Sequence, residues 1–106
     1  MFRLQLNGVL GTDAEVREVG KRKAINFSVA VHKEYKDSNG NKVEKTDWIK
    51  AVIWKSEKQS TKIAEYLKKG KRVYVEGEPS ADAFITKDGD AAGTLNLIVR
   101  DIELMN

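Results

Sequence analysis

The chain has no cysteine among its 106 residues, and only one proline and one histidine. Without cysteine there are no disulfide staples, no thiol catalysis and no thiolate zinc site. That absence fits a reducing, cytoplasmic setting. A single His32 excludes a histidine-rich metal site. No apolar run approaches the length of a membrane span. The N-terminus "MFRLQLNG" has no apolar region behind a basic start, so it does not read as a signal peptide. Repeats, low-complexity segments and linkers are missing too. Carboxylates are numerous, but no pair is set apart by its spacing and no general base has an evident partner. The glycines of "GVLGTDAEVREVG" lack the lysine-serine ending and strand-to-helix context of a phosphate-cradling loop. Neither an enzyme nor a bound cofactor or metal is expected.

What is present fits one domain over residues 1–106 with one core. Apolar residues make up 41% and charged residues 33%, as in a well-solvated folded protein. The net charge of +3 permits a polyanionic partner without requiring one.

Periodicity sets the order of elements. In "FRLQLNGVLG", Phe2, Leu4 and Leu6 alternate with Arg3, Gln5 and Asn7, a half-buried strand interrupted at Gly8 and Gly11. "AINFSVAVHKEY" alternates again through Ile25, Phe27, Val29 and Val31. Asn39-Gly40 within "KDSNGNK" signals a hairpin, and "KTDWIKAVIWK" returns as the third strand. In "SEKQSTKIAEYLKKGK", Ser56 and Gln59 suggest a capping box, Ile63 and Leu67 repeat at helical spacing, and Gly70 stops the run. This predicts a helix over 57–69. "KRVYVEG" is a fourth strand ended by Pro79, "KDGD" turns, and "TLNLIVRDIEL" is the last strand. Its apolar parity shifts between Val99 and Ile102, the mark of a bulge. An all-β fold of five strands, with one α-helix between the third and fourth, fits an OB-fold Greek-key barrel.

The third strand poses a functional question. Ile49, Ala51 and Ile53 make a core face, leaving Trp48, Lys50, Val52 and Trp54 together on the other. Six residues at about 3.3 Å each separate the two indoles by roughly 20 Å, too far for mutual stacking. They suit separate platforms for bases, with lysine neutralising phosphate. Tyr35 lies between Lys33 and Lys36, Lys55 follows Trp54, and Phe84 lies in the loop-like "SADAFITKDG" three residues before Lys87. Each feature also has a plainer reading. The tryptophans suit a core or a subunit contact, Tyr35 a hairpin residue, Phe84 a loop anchor, and the lysines a solvated face. A protein-interaction barrel and an RNA-binding barrel stay open on the same residues.

The order of these motifs resembles the bacterial-type single-stranded DNA-binding proteins (SSB) over essentially the whole length. "NGVLGTDAEVR" looks like that family's opening strand and loop, "INFSVAVHKEY" its second strand, "KTDWIKAVIW" its third, and "IAEYLKKGKRVYVEG" its helix-to-strand junction. The resemblance implies base stacking on Tyr35, Trp48, Trp54 and Phe84. Matching basic positions are Arg3, Arg17, Lys50 and Lys69. Lys33, Lys36, Lys55 and Lys87 join them by their place beside the aromatics. The implied assembly is a homotetramer on single-stranded DNA, with Tyr74, Glu76 and Ile49 as candidate subunit contacts. The implied role is in replication, recombination and repair, in a bacterial, nucleoid-associated protein or one encoded by a phage or mobile element. The family usually continues into a flexible linker and an acidic tip. The sequence ends at "VRDIELMN", which leaves both a natural short form and a removed tail open, so recruitment of proteins through a tail is not an expectation drawn from these residues. "EPSADA" lacks the family's basic run after "VEG", so a weaker phosphate grip is expected there.

Overall fold

The computed structural model describes residues 1–105. Six strands, β1 Leu4–Leu10, β2 Glu15–Val19, β3 Arg22–Lys36, β4 Lys42–Ser56, β5 Arg72–Ile85 and β6 Ala91–Met105, form one sheet in the order β1-β5-β6-β4-β3-β2. A further pairing of β1 with β3, Val9 opposite Ala30 and Leu10 opposite Val29, closes the sheet into a five-stranded barrel. The strand β2 continues the chain past β1 and, among the described residues, pairs only with β3. All pairings are antiparallel except β4 with β6, which runs parallel from Ile49–Leu95 to Val52–Ile98.

The predicted alternation places the core. Ile25, Phe27, Val29, Ile49, Ala51, Ile53, Val73, Val75, Leu97 and Val99 are all buried in one cluster. Ile49 is therefore a core residue, not a subunit contact: its odd parity turns it inward with Ala51 and Ile53. The hairpin between β3 and β4 forms at the expected place. Asp37 Oδ1 accepts from the amides of Asn39 and Asn41, both at 2.9 Å, and Gly40 takes φ +80°.

The predicted helix is not there. Only a short 3-10 turn, Lys62–Tyr66, lies between β4 and β5. Half of the expected capping box exists, since Ser56 N donates to Gln59 Oε1 at 2.7 Å. Downstream, the Ser60 hydroxyl accepts from Lys62 N, the kind of local bond that competes with a helix. The chain is then drawn into the barrel end. Leu67 is fully buried and its carbonyl accepts from Ala14 N at 2.8 Å. Lys69 N donates to Asp13 Oδ1, Gly70 N to Leu10 O, and Leu10 N to Lys71 O. These backbone groups bond to the β1–β2 corner instead of to their own segment. One buried leucine thus stops the barrel where a helix was expected.

Pro79 does not end a strand. The strand β5 runs through it to Ile85, with Pro79 opposite Leu97. Beyond Gly77, β5 has β6 on one side and, among the described residues, no partner on the other, the setting in which a strand tolerates proline. The parity shift in the last strand is real. Glu76 faces Asp101 while Gly77 faces Val99, so Arg100 is the extra residue of a bulge. A Cβ on Gly77 would collide with the backbone of Ile98 there. Hence the crossing needs glycine.

On the outer surface of β1 and β5, Glu76 is the hub of a small network. Gln5 Nε2 and the Tyr74 hydroxyl each donate to Glu76 Oε2 at 3.0 Å, and Arg3 Nε lies 2.8 Å from Oε1. The Gln5 bond, then the Tyr74 bond and the Arg3 charge, hold the carboxyl below its ordinary value, outweighing partial burial. A depressed carboxylate stabilises the fold above its ordinary value of 4.5, and that contribution fades as pH falls through the lowered value. The urea midpoint of the wild type should therefore exceed that of Glu76→Gln at pH 7. The gap should narrow steadily below about pH 4.5. A gap unchanged down to pH 3 would assign the effect to packing instead.

Candidate nucleic-acid interface

Trp48 and Trp54 stand on the outer face of β4, on one side with Lys50. Their seats are made by small residues. Trp54 faces Ala24 across the ladder and Trp48 faces Ala30, and both alanines are buried, at 3% and 8% exposure. The Trp48 indole also reaches the corner between β1 and β2, where a Cβ on Gly11 would run into the far edge of the ring. Any side chain at Gly11 would displace the indole. Trp48 is nonetheless 57% exposed. It forms one wall of an open groove of about 590 Å³ that includes Leu4, Leu6, Val31 and Leu95. Neither ring is sealed in the core, so the plainer reading of the tryptophans as core residues fails.

Trp54 is less open, and a residue not singled out from the sequence explains part of this. The guanidinium carbon of Arg22 lies 4.3 Å from the Trp54 ring centroid, a cation–π contact. Such contacts contribute about 0.5–1 kcal/mol at exposed sites. The signal was in the hairpin register. Folding the two 15-residue strands about Asn39 sets Arg22 opposite Ser56, diagonal to Trp54.

Lys50 lies between the tryptophans, with Ser28 on one side and Asn96 on the other in the ladder. The middle rung of the face is therefore polar. A second open groove, lined by Thr12, Asp13, Asn26, Ser28 and Lys50, borders it.

The two remaining aromatics sit on hairpin arms. Phe84 is in the strand β5, not in a loop, opposite Ala92 and half-exposed. Pleat parity puts it on the same outer face as the Asn96 row, hence on the side of Trp48, Lys50 and Trp54. Tyr35 is also half-exposed, but opposite Val43 its odd position turns it to the other side of its arm. Three of the four aromatics thus share a face, and Tyr35 flanks it.

The basic residues divide in a similar way. Arg3 is paired with Glu76 on the β1–β5 ladder, and Arg17 with Glu15 at 3.2 Å. Lys33 is held by Asp47 at 2.7 Å, and Lys45 lies 3.7 Å from the same carboxylate. The Lys33 hydrogen bond is the main cause that lowers the Asp47 carboxyl below its usual range. Among the described residues no ion pair involves Lys36, Lys50, Lys55, Lys69 or Lys87. Lys55 stands directly opposite Lys23, a like-charged pair that an anion would relieve. Lys87 lies in the Thr86–Asp90 turn beyond Phe84, and Lys69 at the Asp13 corner. No cluster of three or more potential metal ligands occurs among the described residues.

Comparison with known proteins agrees with this architecture. A family model described as the single-strand binding protein family matches residues 1–105. Single-stranded DNA-binding protein 1 of Chlorobaculum tepidum is 33% identical over 105 residues, covering 97% of this chain and 64% of the relative. The mitochondrial single-stranded DNA-binding protein of Drosophila melanogaster is 33% identical over 95 residues, covering 90% of this chain and 64% of its own length. The chain thus spans just under two thirds of each. Among solved structures, the Plasmodium falciparum SSB complex with ssDNA superposes with a TM-score of 0.80 at 24% identity, covering 100% of this chain and 96% of that one. The small single-stranded DNA-binding protein of Streptomyces coelicolor gives 0.77 at 16% identity, covering 98% and 94%. The closed barrel, the aromatic outer face and the match over nearly every residue converge: this chain belongs to the single-strand binding protein family.

Proposed function

We propose that this protein binds and protects single-stranded DNA in replication, recombination and repair, without strong sequence preference and without a chemical step. The observation that carries the reading is Trp48, an indole kept open on the barrel's outer face by the small residues beneath it. Bases settle on Trp48, Trp54 and Phe84, with Tyr35 on the flank. Lys50, Lys55, Lys36, Lys69 and Lys87 meet the phosphates with charges that no ion pair among the described residues neutralises. Lys33, Arg3 and Arg17 contribute only where DNA draws them from their carboxylate partners. Family membership and the names of the relatives support the choice of ligand.

The proposed assembly is a homotetramer, acting where single strands are exposed in the bacterial nucleoid. Its support is the edge of β1 from Leu4 to Gly8, which pairs with β5 on one side and has no partner on the other among the described residues. An open strand edge is a ready template for another chain.

The test is tryptophan emission during titration with oligo-dT at two salt concentrations, on material whose mass is fixed by light scattering. Quenching is expected, with affinity falling by about 0.7 log units per phosphate contact for each tenfold rise in salt. Absence of any spectral change would overturn the reading, and preferential quenching by oligo-U would redirect it to RNA. A monomer that binds would remove only the tetramer.

A further inference from the structure

We propose that Arg22 guards Trp54: in the free protein its guanidinium occupies the indole, and on binding a base takes that place while Arg22 turns to the neighbouring phosphate. This rests on the single-strand binding reading above and adds an order of engagement to it. Trp48 is the platform that stands ready, and Trp54 is the one that must be opened.

Four observations converge on it. The guanidinium lies 4.3 Å from the ring centroid, where an incoming base would stack. Trp54 also has the buried Ala24 across the ladder, 3% exposed, and is itself only partly exposed. Trp48, six residues away on the same strand face, has no such cation over it among the described residues and is far more exposed. Finally, no ion pair among the described residues fixes Arg22. It stands at the last rung of the β3–β4 ladder, opposite Ser56, next to the turn at Gly20, with room to swing.

The chemistry favours exchange over permanence. A guanidinium is weakly hydrated, stacks well on an aromatic ring and bonds phosphate bidentately. It can leave one partner for the other at small cost. Lys21, Lys23 and Lys55 surround the same end of the hairpin, and none of them has an ion pair among the described residues. The odd positions of Lys23 and Lys55 set them on the other side of the hairpin from Arg22 and Trp54, so they draw a strand toward this end while Arg22 is the cation on the side where a base reaches Trp54.

A double-mutant cycle on oligo-dT affinity decides the matter, using Arg22→Ala, Trp54→Ala and the pair. If Arg22 guards the ring, its removal loses a phosphate contact but also uncovers Trp54. Arg22→Ala should then cost about two- to fivefold less in the wild type than in the Trp54→Ala background. It should also lower the salt slope by about 0.7. An equal cost in both backgrounds would show the two residues to be independent. A larger cost in the wild type would show that Arg22 stays on the ring and sandwiches the base. Either result, or an unchanged salt slope, overturns the proposal. A wild type that does not bind oligo-dT at all would instead sink the binding reading on which it rests. The free protein offers a second readout. In Trp48→Phe, where Trp54 is the only tryptophan, Arg22→Ala should raise acrylamide quenching; no change would also count as refutation.

Discussion

Trp48→Ala is expected to weaken oligo-dT binding by about 1–3 kcal/mol, roughly five- to 150-fold, while the urea midpoint moves little. The size comes from stacking: one base loses one platform. The small change in stability follows from exposure, because the indole lies over Ala30 and Gly11 but contributes nothing to the core cluster. The affinity should fall by a similar factor at low and high salt, since a stacking contact releases no counterions. Lys50→Gln, by contrast, would lower the salt slope. Trp48 is the best of the four aromatics for this test: it is open, centrally placed and not covered by Arg22. Binding by Trp48→Ala equal to wild type would remove the central platform and, with it, the stacking account of the face.

Much of this face was readable from alternation. Once "KTDWIKAVIWK" is a strand with Ile49, Ala51 and Ile53 inward, Trp48, Lys50 and Trp54 must share the outside, and they do. The bulge at Arg100 was legible in the same way, because a parity slip in an apolar strand has few other causes. The strand β2 was not. All five of its residues, Glu15–Val19, are exposed, so it has no buried side to impose a period. The missing helix is the instructive failure. Ile63 and Leu67 lie four apart, as a helix requires, but the Lys62–Tyr66 turn followed by a buried Leu67 satisfies the same spacing. What decided the matter was where the Leu67 and Lys71 carbonyls and the Lys69 and Gly70 amides found partners, and those partners lie more than fifty residues away, at Leu10, Asp13 and Ala14. Periodicity in one segment carries no information about such bonds. Arg22 was missed for a related reason: its contact depends on the register of the whole β3–β4 hairpin, not on its own neighbours.

That long-range stitching makes Leu67→Ala the most damaging single truncation expected outside the DNA face. Leu67 is fully buried against the core from a segment with no helix to hold it. Removing its side chain should cost about 2–5 kcal/mol, read as a lower urea midpoint at unchanged m. The upper part of that range applies if the strands cannot close over the void, and a closed barrel resists such collapse. The damage should reach the binding face as well. The Leu67 carbonyl holds Ala14, its neighbours hold Asp13 and Leu10, and between Leu10 and Ala14 lies Gly11, the seat of the Trp48 indole. Loosening the plug therefore loosens the seat. At a temperature where Leu67→Ala is still folded, oligo-dT affinity should fall by a few-fold, and Trp48 should become more accessible to acrylamide. The partly buried neighbour Ile63 provides the control: Ile63→Ala should cost less stability and leave the affinity unchanged. Equal losses of affinity from both would mean that the turn as a whole, not the leucine anchored to the corner, supports the DNA face.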